Sequence, residues 1–114
     1  MNLQILFSMQ RQLDERIETE RGLRGERLIE RKLLALLVEV GELANETRCF
    51  KFWSSKPKAA DETILEEYVD GLHFILSLGL DLSFHKHIEC QTCKKANRSS
   101  TNFYLYSRRF IRFG

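Results

Sequence analysis

Two stretches of this chain place carboxylates three residues apart inside runs that are otherwise apolar at helical spacing. They are Glu39 and Glu42 in LLVEVGELANE, and Glu67 and Asp70 in EEYVDGLHF. On a helix, each pair projects from one side over adjacent turns. Four such acids facing an apolar interior repel one another and resist ionisation unless something of opposite charge meets them. Helical glutamates usually serve as exposed partners of lysine or arginine. Here, however, the positions three and four residues either side of Glu42 are Val38, Glu39, Asn45 and Glu46, so an ion-pair explanation is poor. A hard divalent cation removes the conflict. Magnesium prefers oxygen ligands and commonly bridges a few carboxylates to substrate phosphates, with manganese as a possible substitute.

The rest of the chain supplies helices to carry these pairs. There is one proline, Pro57, and only six glycines, with Leu, Glu, Lys and Arg abundant, which predicts an all-α helical bundle with few strands or none. Leu3, Leu6, Met9 or Gln10, Leu13 and Ile17 predict a first amphipathic helix over 2–19, with Arg11, Asp14, Glu15 and Glu18 on its outer face. Gly22 and Gly25 mark a turn. Leu33, Leu34, Leu36, Leu37, Val40, Leu43 and Ala44 define a second helix over 26–48, apolar over so wide a face that burial is expected. Ser54, Ser55 and Pro57 break the period between Cys49 and Ala60. Asp61 is expected to cap a third helix that runs to Gly79.

At 114 residues the chain is one small domain whose core gains from a partner chain. No apolar run reaches the ~18 residues needed to span a bilayer, and no secretory signal pattern opens the chain, so a cytoplasmic location and no membrane contact are expected. Three cysteines suggest no disulfide framework. Charge is unevenly spread. Residues 1–89 carry all 16 acids and 12 of the 18 basic residues, whereas residues 90–114 carry six basic residues and no acid.

The order ExxE, 24 intervening residues, then ExxD resembles the signature of the dimeric dUTPases, within the MazG-like all-α NTP pyrophosphatases. More specific are LALLVEVGELANETRCFKFWSSK and ILEEYVDGLHFILSLGL, which closely resemble the dUTPase branch, as does MQRQLDERI in the first helix. The resemblance implies magnesium-dependent hydrolysis of dUTP to dUMP and pyrophosphate by a homodimer. In it, Glu39, Glu42, Glu67 and Asp70 are the metal ligands, and one of them orients or deprotonates the attacking water. It also implies substrate contacts from Gln12 to the base and from Asn45 to nucleotide. Trp53 would lie in the base pocket, His73 near sugar or base, and Lys51 and Lys56 at the phosphates. Each has a plainer reading: Gln12 as a solvated helical residue, Trp53 as a core anchor, His73 as a structural histidine, and the lysines as ordinary surface charges. A related pyrophosphatase acting on another nucleotide such as dCTP is the nearest alternative. A non-catalytic helical module that binds nucleotide or nucleic acid is the alternative of a different class.

By this reading the resemblance covers residues 1–88, a dUTPase-like helical domain, and residues 89–114 form an atypical basic and aromatic tail. The tail suggests two further ligands. His85, His87, Cys90 and Cys93 contain a CxxC zinc half-site, although in an unusually compact order. Lys94, Lys95, Arg98, Arg108, Arg109 and Arg112, interleaved with aromatic residues, offer charge and stacking surface to nucleic acid. The loss of acids after Glu89 is read as an altered frame or an early end, which predicts impaired turnover.

Overall fold

The computed structural model describes residues 2–88. They form α1 (Leu3–Arg21), α2 (Ile29–Thr47), α3 (Asp61–Asp81) and the single turn α4 (His85–Ile88), with no strand among the described residues. The three long helices lie where the apolar periodicity predicts them, and the all-α expectation holds.

Local chemistry sets the ends. Asn2 caps α1 by accepting the Ile5 N–H at 3.2 Å, which satisfies one of the free donors of a helix start. Gly22 closes α1 at φ +66°, in the left-handed region, where its N–H reaches back to Glu18 and Thr19 carbonyls. Two expected ends differ. Asp61 is the first residue of α3 and not its cap; Ala60 holds the cap position without a side-chain bond, and Asp61 pairs with Lys58 instead. Nor does Gly79 end α3, which continues to Asp81. Gly79 makes room instead, because a Cβ there would lie 2.9 Å from the Phe7 ring.

The central element is α3. It packs antiparallel to α2, with Lys32 at the start of α2 bonded to Asp81 at the end of α3 at 2.6 Å and the Glu39 Cβ beside Gly71. On its other side it meets α1. Leu6, Val69 and Leu76 make the core there, joined by Phe7, Met9 and Leu72. Burying side chains of this size contributes about 1.5–3 kcal/mol each.

α2 corrects the sequence reading, since none of its residues is buried in this chain. Leu34 is 64% exposed and Leu37 69%, with Leu33, Val38 and Val40 also exposed. One face of α2 lies on α3, and the rest of its wide apolar surface is open. No helix among the described residues is long and apolar enough to cross a membrane.

Candidate functional site

The antiparallel pairing of α2 and α3 brings the two acid pairs together. One carboxylate oxygen from each of Glu39, Glu67 and Asp70 lies within 4.8 Å of the others, and Glu42 adds its charge beside both Glu39 and Glu67. The acids are less enclosed than their apolar flanks suggest: Glu42 is exposed, and the other three are half-buried. Burial of Glu39, followed by the charges of Asp70 and Glu42, raises its carboxyl from 4.5 to about 7. Glu67 rises to about 7 through burial, then the Glu42 and Asp70 charges. Like charges gathered at partial burial cannot all ionise at ordinary cost.

The donor set fits a hard divalent cation. The Glu39 Oε2 atom is shut from solvent with no hydrogen-bond partner, a costly state for a buried carboxylate oxygen. All the gathered ligands are oxygens, and among the described residues this is the one group of three or more suited to a metal.

One turn further along α3, a cluster of like charges gives way to a hydrogen-bonded network that is largely buried. His73 is 1% exposed and Gln10 2% exposed. The Asp14 carboxylate accepts from Gln10 Nε2 at 2.8 Å and from Ser77 Oγ at 2.7 Å. With its nitrogen turned to Asp14, the Gln10 amide presents Oε1 to His73 Nδ1 at 2.8 Å, so Nδ1 carries the proton and donates. Burial pushes the His73 imidazole down to about 4, making it neutral at physiological pH. Burial likewise raises Asp14, opposed by its bonds from Ser77 and Gln10. Gln10, Asp14, His73, Phe74 and Ser77 line a cavity of about 300 Å³ bordered across the gap by Lys32 and Ala35 of α2.

The other expected site residues fall elsewhere. Gln12 is exposed on the outer side of α1, in a shallow depression with Glu15, Arg16, Thr19, Glu20 and Arg24. It does not line the cavity; Gln10, two residues earlier, does. Asn45 Oδ1 accepts from Lys51 Nζ at 2.6 Å, so these two meet each other at the start of the α2–α3 loop. Trp53 is 64% exposed and meets Phe50 and Phe52 edge-on, with ring centroids 5.9 and 5.2 Å away. Lys56 is exposed; its backbone carbonyl accepts from Arg48, which also bonds Ser54 and pins the loop. Asp14 and Ser77 were not foreseen. The zinc set depends on Cys90 and Cys93, and the nucleic-acid surface on the basic tail; both lie outside the described residues.

A family model described as dUTPase matches residues 2–113. The chain belongs to the dUTPase family. The match takes in nearly the whole chain, including residues past 88. Neither a curated protein nor a solved structure matches the chain. Family membership makes a nucleotide the substrate class and gives the acid cluster its context: a metal-dependent hydrolase.

Proposed function

We propose that this chain hydrolyses dUTP to dUMP and pyrophosphate with magnesium held by Glu39, Glu42, Glu67 and Asp70. The observation that carries the reading is the gathering of carboxylates from two antiparallel helices around the buried, unpartnered Glu39 Oε2, in a chain of the dUTPase family. When bound, a divalent cation neutralises phosphate charge and makes water a stronger acid. The acids have a second task. One of the four also orients or deprotonates the attacking water.

The cavity beside the acids takes the nucleoside end. Its apolar wall from Phe74 and Ala35 suits a base or a sugar face, and Gln10 and His73 supply the few polar groups that orient it. Trp53 and Gln12 lie outside this cavity and would contribute through contacts made only with substrate present. The exposed apolar face of α2 fits burial against a second copy of the chain, consistent with a homodimer.

A panel of dUTP, dCTP, dTTP and UTP, assayed for pyrophosphate release with magnesium, with manganese and with chelator, tests the reading. Metal-dependent release with dUTP as the preferred substrate is expected. Preference for dCTP, or release unaffected by chelator, would contradict it.

A further inference from the structure

The acid cluster accounts for phosphate chemistry but not for Asp14, a half-buried carboxylate on the wall of the neighbouring cavity. Asp14 stands apart from the gathered metal-binding acids. Its two oxygens are occupied by Gln10 Nε2 and Ser77 Oγ. The consequence reaches the cavity wall. A glutamine amide alone can turn either end toward a ligand, because its oxygen and nitrogen are similar in shape. A carboxylate accepts only, so Asp14 dictates that the nitrogen faces it and that the oxygen faces His73. That oxygen in turn fixes His73 as the tautomer protonated at Nδ1, leaving the acceptor lone pair at Nε2. Ser77, four residues beyond His73 on α3, holds Asp14 in place from the same helix.

We propose that Asp14 is a positioning residue that sets the donor and acceptor pattern of the nucleoside cavity through Gln10 and His73, and so selects uracil against cytosine. This rests on the reading that the cavity takes the nucleoside. The chemistry of the two bases makes the orientation decisive. Along the edge that carries N3, uracil offers an N–H beside carbonyl oxygens, whereas cytosine offers a bare ring nitrogen beside an amino group. Donor and acceptor are exchanged between the two bases at N3 and at the 4-position, while O2 accepts in both. An amide free to flip satisfies both; an amide fixed by a carboxylate satisfies one and leaves buried groups unpaired against the other. The Gln10 amide keeps one N–H and one oxygen lone pair beyond those used by Asp14 and His73, and these remaining sites have fixed positions.

The first test needs no substrate. Long-range proton–nitrogen correlation spectra of the full chain, labelled with ¹⁵N-histidine, report the tautomer of each imidazole. Wild type is expected to show His73 protonated at Nδ1. An Nε2–H tautomer or an imidazolium at pH 7 overturns the proposal without reference to activity. The second test uses variants. Asp14→Leu removes the acceptor, and the His73 tautomer should become mixed while the dUTP-to-dCTP ratio of kcat/KM falls about tenfold, equivalent to about 1.4 kcal/mol. Manganese affinity should stay unchanged. Asp14→Asn keeps an oxygen that Gln10 can use but can itself turn its amide, so the tautomer and the ratio should shift in the same direction by less than in Asp14→Leu. A folded Asp14→Leu protein with an unchanged tautomer or an unchanged ratio overturns the proposal. If Asp14→Leu does not fold, Ser77→Ala loosens the same carboxylate and should move both readouts in the same direction; no movement overturns it. Should the chain turn over no nucleotide, the catalytic reading fails by itself, and the ratio is read instead as relative binding of dUMP and dCMP.

Discussion

The two sides of α3 have been built to opposite specifications. Toward α1 it buries Val69, His73, Leu76 and Ser77, and each described polar group there has a partner on the neighbouring helix. Toward α2 it presents Glu67 and Asp70 to Glu39 and Glu42, acids whose like charges face one another half-open to solvent. Asp70 and His73 are one turn apart on the same helix, yet one belongs to a cluster of acids and the other to a hydrogen-bonded network that holds a neutral imidazole. One interface supplies stability and the other stores repulsion that a ligand must relieve. Substitutions should separate these roles cleanly.

The largest effect expected is on turnover. Glu42→Gln or Asp70→Asn should lower magnesium-dependent release of pyrophosphate from dUTP by at least about 10²-fold, while the melting temperature of the metal-free protein holds or rises because repulsion has been relieved. Full turnover in either variant would break the distinction between the two interfaces.

Core changes should do the reverse. Leu76→Ala, at a position 2% exposed, should cost about 2–5 kcal/mol in denaturant unfolding. The equivalent change on the outer face of α2, Leu37→Ala, removes a side chain that is 69% exposed and should cost under about 0.5 kcal/mol in a lone chain. A larger, concentration-dependent loss for Leu37→Ala would show that a second copy covers this face, sharpening the comparison into one between intrachain and interchain cores.

The smallest effect is in pH. Glu39 and Glu67 have folded values raised from 4.5 to about 7, so their contribution to stability is present at low pH and is lost as pH rises through about 7. His73 acts oppositely: its folded value is lowered from 6.5 to about 4, so its contribution is present above 6.5 and is lost as pH falls through 4. Over the shared window these trends oppose each other in the metal-free protein. Glu67→Gln removes part of the first, and its melting temperature should climb more steeply between pH 5 and 7 than that of wild type. Added magnesium competes with protons for the same oxygens, so its stabilising effect should grow from pH 6 to pH 8. A magnesium effect independent of pH would contradict protonation of the cluster.

Much of this was legible in the residues. Helical spacing located α1, α2 and α3, and the two acid pairs announced the cluster because three-residue spacing fixes a shared side of a helix whatever the tertiary fold. The burial of α2 was misread because apolar width shows that a face favours cover, not that the same chain supplies it. The resemblance points to Gln12, whereas the glutamine on the cavity wall is Gln10, on the apolar stripe between Leu6 and Leu13. A polar residue on such a stripe is the signal of a buried hydrogen bond, and Asp14, four residues on, was its partner on the same helix. Ser77 gave no comparable sign, since its role depends on how α1 crosses α3, a relation that spacing within either helix does not encode.

The central claim is that the acids of α2 and α3 hold the catalytic metal, and a calorimetric titration of manganese into the wild-type, Glu39→Gln and Asp70→Asn proteins at pH 7.5 tests it most directly. Saturable binding in wild type that weakens at least about tenfold in both variants, with folding intact, is the predicted result. Equal affinity in all three proteins would contradict the account.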